Sequence, residues 1–99
     1  MSNIAFKATD KNMKCRNIQY KLNTEFKYDG EIQLCLSGYH LCKNLEDIDN
    51  YYKFSEDNRY FIIKYGNNTL TKDDKTVTDK IIFLEEIFIE NKKDFSQKR

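Results

Sequence analysis

Hydrophobic and polar positions alternate along most of the chain with the two-residue period of half-buried strands, and the alternating segments are separated by short runs of Asn, Asp, Gly and Ser. Ile4, Phe6 and Ala8 fall on one face of a first strand over Ile4–Ala8, and Thr9–Asn12 makes a polar turn. Met13–Tyr20 resumes the extended pattern, with Asn17 placed where a bulge or a left-handed residue reverses the alternation. Glu25–Tyr28 and Glu31–Cys35 flank Asp29-Gly30, a pattern that predicts a hairpin. Ser37-Gly38 predicts the next turn, and a strand over Tyr39–Lys43 follows, with Tyr39, Leu41 and Lys43 opposed to His40 and Cys42. Asn44 is placed to cap a short helix from Leu45 to about Tyr52. Its acids Glu46 and Asp47 lie in the first turn, and Leu45, Ile48 and Tyr52 share one face.

Arg59–Tyr65 is the strongest strand, and its apolar centre at Tyr60–Ile63 predicts a middle position in a sheet. Gly66-Asn67-Asn68 is a turn, Thr69–Thr71 a brief pairing segment and Lys72–Lys75 a charged loop. Thr76–Glu90 carries two patterns, a buried strand first and, with Ile81, Leu84 and Phe88 on one face, a helix second. Residues 91–99 read as a frayed tail. Together these elements predict one α+β domain over residues 1–99. It would have a mainly antiparallel sheet of about five or six strands, one short helix after Lys43 and, on the second pattern, a C-terminal helix.

Composition adds constraints. Fourteen aromatic residues in a chain of 99, none of them Trp, supply a core that needs no disulfide or metal. Seventeen basic residues against 16 acidic ones leave no field strong enough to gather nucleic acid by counterion release, and the same balance weakens an acidic nucleic-acid mimic. Three cysteines, an odd number without a disulfide framework, agree with reduced thiols in a cytosol. Met1-Ser2-Asn3 begins no signal peptide, and no run approaches the roughly 20 apolar residues of a membrane span, so a cytoplasmic protein without membrane contact is expected.

Candidate chemistry concentrates in the middle of the chain. Cys35, His40 and Cys42, with Cys15 as a fourth ligand, offer the sulfur and imidazole donors that suit tetrahedral zinc, but they lack a Cys-x2-Cys knuckle. Buried cysteines and a hydrogen-bonded histidine explain the same residues, and neither metal nor cofactor is expected. Cys15 between Lys14 and Arg16, or Cys42 two residues from His40, also suggests a thiolate nucleophile, for which the sequence names no orienting group and no oxyanion hole. Lys14, Arg16, Lys21 and Lys27 interleave with Tyr20, Phe26 and Tyr28 in a way that suits single-stranded nucleic acid, although Glu25, Asp29 and Glu31 dilute the charge. Protein binding is the stronger expectation, on a surface made of Lys14, Arg16, Tyr20, Tyr39, His40 and Tyr51.

Phe6–Tyr20, Asp29–Tyr52 and Asp74–Ile82, in this order, resemble a small family of uncharacterised domains common in phages, prophages and their bacterial hosts. The family pattern reads DKxxKCRGxQY, then GEIxLCxSGFHxC with a helix ending in YY, then DKSVTxKI. Asn17 stands where the family usually has Gly, and Leu45 where it often has Pro at the first helical position. The resemblance implies a phage or mobile-element accessory protein that binds a protein partner, such as a host defence factor or a CRISPR effector. Ser37–Leu41 and the helix ending at Tyr51-Tyr52 also resemble, very locally, the strand and helix of ADP-ribosyltransferases that hold nicotinamide between aromatic rings. That likeness implies His40, Tyr52 and a late acid, Glu86 or its neighbours Glu85 and Glu90, as catalytic candidates.

Overall fold

The computed structural model describes residues 3–34, 37–50 and 57–89. Its strands, in chain order, are β1 (Ile4–Thr9), β2 (Lys14–Cys15), β3 (Ile18–Gln19), β4 (Glu25–Lys27) and β5 (Tyr39–Leu41). They continue as β6 (Arg59–Tyr65), β7 (Thr69–Lys72), β8 (Lys75–Thr78) and β9 (Lys80–Ile87). They form a four-stranded sheet in the order β1-β6-β9-β4, a three-stranded sheet in the order β5-β8-β7 and the small ribbon β2-β3, with antiparallel pairing throughout.

The expected α+β architecture is therefore corrected to a mainly antiparallel β fold with no α-helix among the described residues. The segment after Lys43 is a 3-10 helix over Leu45–Asn50, in which Leu45 and Ile48, three residues apart, are both buried. Asn44 does not cap it through its side-chain oxygen; its amide instead donates to the Asp47 carboxylate at 3.5 Å. The C-terminal helix is replaced by strands. The strand reading of Thr76–Glu90 is the one seen over its described part, residues 76–89, which holds most of β8 and all of β9, and a bulge interrupts the two-residue period there, since Ile62 pairs with Glu85 but Ile63 with Phe83. Leu84 is the extra residue, and the shift sends Ile81 and Phe83 to one face of the sheet and Ile87 to the other.

The Asp29-Gly30 hairpin does not form. Gly30 is not among the positive-φ residues, and β4 pairs with β9 instead, so that Phe26 lies opposite Ile81 and packs against the core. Gln33 and Ser37 exchange backbone hydrogen bonds of 3.0 Å. Gly38 then takes φ 101°, and a Cβ there would lie 2.7 Å from Val77 Cγ2, so the turn before β5 requires glycine. Arg16 (φ 52°) and Asn17 (φ 66°) are both left-handed, the signature of a two-residue type I′ turn between β2 and β3. Asn17 is thus left-handed as its residue type suggested, but in a hairpin rather than one extended run. The charged loop at Lys72–Lys75 is likewise a tight turn between β7 and β8, with Asp73 at φ 57°.

β6 holds the middle of the four-stranded sheet, as its doubly apolar sequence predicts. On one face Ala5, Phe61, Ile63, Ile81 and Phe83 join Tyr20, Tyr39 and Leu41 in the main core, where Tyr20 stacks on Phe83 at 4.5 Å and Phe61 lies 4.9 Å from Phe83. On the other face Ala8 and Tyr60 pack with Cys42, Leu45 and Ile48, and Phe6 and Ile87 lean against them. β1 is an edge strand buried on both sides. Its outer edge is met at one point by the end of β5, where Phe6 and Cys42 exchange backbone hydrogen bonds of 2.9 and 3.0 Å.

Candidate functional site

Next to that junction lies a cleft of about 290 Å³, lined by Phe6, Lys7, Ala8, Cys15, Arg16, His40, Leu41, Cys42, Ile48 and Lys75. Four local decisions of the sequence build it. Strand β1 delivers Lys7, the β2-β3 turn raises Cys15 and Arg16, the strand after Gly38 presents His40, and the turn at Asp73 starts β8 at Lys75. The 3-10 helix closes the apolar floor with Ile48.

Lys7 is the residue that alternation misses. It follows Phe6 in sequence and so points to the face that the pattern assigned to solvent, yet only 5% of it is exposed. Its amine donates to the backbone carbonyl of His40 and lies 5.6 Å from the centre of the Tyr20 ring. Burial lowers its pKa below the usual lysine range, Arg16 lowers it further, and Cys15 and Cys42 partly oppose the shift. A signal for this was present in the small residues Ala5 and Thr9 on the same face: a strand with small or apolar residues on both faces is covered on both, and a lysine within it is buried.

His40 is half-buried and its pKa falls to about 4, because of burial first and then the charges of Arg16, Lys7 and Lys75. Arg16 Nη1 stands 3.4 Å from His40 Nδ1. A guanidinium only donates, so Nδ1 accepts and the neutral ring keeps its proton on Nε2. Burial, with Asp74 and Asp47 nearby, pushes the buried Cys42 thiol up to about 12, which makes it a poor nucleophile. Cys15 and Cys42 are both free thiols.

The metal candidates Cys15, His40 and Cys42 do line this one cleft, while Cys35 lies outside the described residues. Among the described residues no three His, Cys, Asp or Glu side chains are grouped to hold a metal ion. The expected contact surface divides. Lys14 and Arg16 are exposed and His40 is half-exposed, but Tyr20 and Tyr39 are core residues, 2% and 8% exposed, and Tyr51 lies outside the described residues. Burial also raises the Tyr39 phenol. Phe26 and Tyr28 pack against the same core as partly buried rings.

Of the catalytic candidates, Tyr52 and Glu90 lie outside the described residues. Glu86 is on β9, gripped by Arg59 through two hydrogen bonds of 2.9 and 2.7 Å, and it does not line the cleft with His40. No helix of the described residues is long and apolar enough to cross a membrane.

Fold and site together define a small antiparallel β domain with a basic, apolar-floored cleft at the edge of its main sheet. The chain belongs to the family described as domain of unknown function (DUF7666), whose model matches residues 3–93. No curated protein and no solved structure matches it.

Proposed function

We propose that this chain is a small accessory protein of a phage or other mobile element that acts by binding an acidic protein partner through the face around His40. The phage setting, and a host defence factor such as a CRISPR effector as partner, extend the resemblance carried by Phe6–Tyr20, Asp29–Tyr52 and Asp74–Ile82. One observation supports the binding surface above the rest: the charged side chains of Arg16 and Lys75, with the buried amine of Lys7 and the neutral ring of His40, gather around an apolar floor in a cleft whose lining includes no carboxylate among the described residues. In a chain of almost zero net charge, such local concentration of one sign selects and orients an acidic partner. With Tyr20 and Tyr39 in the core, specificity rests on charge and on the cleft's shape.

Affinity capture from host cells tests this with the tagged full chain beside its Arg16→Glu/Lys75→Glu variant. The expected result is a partner retained by the wild type, released by added salt and absent from the variant. Equal capture by both forms, or turnover of NAD by the purified chain, would overturn the proposal.

A further inference from the structure

The geometry points to the cleft beside β1 as a pocket for one carboxylate carried on a short apolar body, with the head at Arg16 and Lys75 and the body against Leu41, Cys42 and Ile48. This rests on the reading of the cleft as the contact surface and adds the chemistry of what enters it.

Size sets the first limit. At about 290 Å³ the cleft stands at the small end of ligand pockets, which run from roughly 300 to 1,000 Å³. It takes a fragment-sized group rather than a nucleotide or a length of peptide. The lining sets the second limit, because Phe6, Ala8, Leu41, Cys42 and Ile48 form a floor that rewards an apolar body, while the basic side chains stand around it. A bare inorganic anion would leave that floor wet.

Charge selects the head. Lys7 is nearly enclosed, with its amine held at the His40 carbonyl, so it is fixed in the lining of the cleft. Lys7 and His40 are both pushed toward their neutral forms, whereas Arg16 and Lys75 supply positive charge at the rim, offset in part by Asp74 and Asp47 near Cys42. Such a site matches a singly charged planar carboxylate, which a guanidinium grips with two donors, better than a phosphate dianion. The source is either a free small acid or the terminal carboxylate of a protein partner, and both offer the same head and body.

The test is an amide chemical-shift titration of the full chain. Isovalerate represents the free acid, N-acetyl-leucine a chain terminus, acetate the head alone, isopentanol the body alone and isopentyl phosphate the rival head. Isovalerate or N-acetyl-leucine is expected to shift Arg16, His40, Cys42 and Ile48 saturably, with the tighter of the two naming the source. Acetate and isopentanol should each bind roughly tenfold more weakly or worse. Arg16→Gln and Lys75→Gln, whose folding is checked by their unliganded spectra, should each weaken the acid roughly tenfold. The inference falls if neither acid binds saturably, if the double Gln variant binds as the wild type does, or if isopentyl phosphate binds more tightly. Capture of a partner that depends on Arg16 and Lys75 without binding of either acid would sink this inference and leave the proposed function standing. Acid binding without any charge-dependent partner would do the reverse.

Discussion

The two faces of the four-stranded sheet are packed to different ends. One face carries interlocked aromatic rings, with Phe83 stacked on Tyr20 at 4.5 Å and tilted against Phe61 at 4.9 Å. The other carries the smaller cluster of Ala8, Cys42, Leu45, Ile48 and Tyr60, capped by a short 3-10 helix, and the cleft opens beside it. A dense core tolerates no void, whereas a thin layer under a short 3-10 helix leaves room at its margin. Stability is thus concentrated on the Phe83 face, while the cleft lies at the open edge of β1, where Lys7 and Leu41 from that face meet Ala8, Cys42 and Ile48 from the other.

The largest effect should come from the dense face. Phe83→Ala removes a fully buried ring and should cost about 3–5 kcal/mol in denaturant unfolding, enough to unfold a marginal domain. Ile48→Ala, beside the open cleft, should cost less, about 2 kcal/mol, because water and neighbours can enter the space it leaves. Equal costs for the two would break the division of labour.

A subtler contrast is read with pH. In the folded chain His40 has a pKa of about 4 against an ordinary 6.5, so the unfolded chain takes up the proton first. The stability tied to neutral His40 is fully present above about pH 6.5 and is lost as pH falls toward 4. Urea midpoints compared from pH 7 to 4.5 should therefore show the wild type losing stability relative to His40→Gln as pH falls. A constant difference would place His40 in solvent. The smallest effect belongs to the partly exposed pair at the margin of the Phe61 face: a double-mutant cycle on Arg59 and Glu86, exposed at 34% and 18%, should give a coupling of about 0.5–1 kcal/mol.

Legibility in the sequence followed the range of the interactions. The central strand Arg59–Tyr65 was readable because apolar residues on both its faces demand cover on both, and Gly38 and Asn17 were readable because backbone conformation is a local property. The pairing of Glu25–Lys27 was not, since Asp29-Gly30 is a local hairpin signal and the better partner, Lys80–Ile82, lies more than fifty residues away. Asn44, Glu46 and Asp47 signal a helix start without fixing α against 3-10 geometry, so the sequence predicts an α-helix where a 3-10 helix forms. The helical reading of Ile81 and Leu84 came from a bulge that disturbs the two-residue period. At the site, His40, Arg16 and the two cysteines stood out by residue type. Lys7 did not, because a lysine on the expected solvent face of a strand looks like surface until the topology covers that face.

That lysine is also where the account is most exposed. Titration of the Lys7 side chain, followed by heteronuclear NMR in a lysine-labelled chain, measures directly whether the amine is enclosed at the base of the cleft. The account predicts that Lys7 titrates below the exposed lysines, with the direction set chiefly by burial. A Lys7 that titrates with or above them would put its amine in water or in an ion pair, and would contradict a recognition cleft built over a buried lysine.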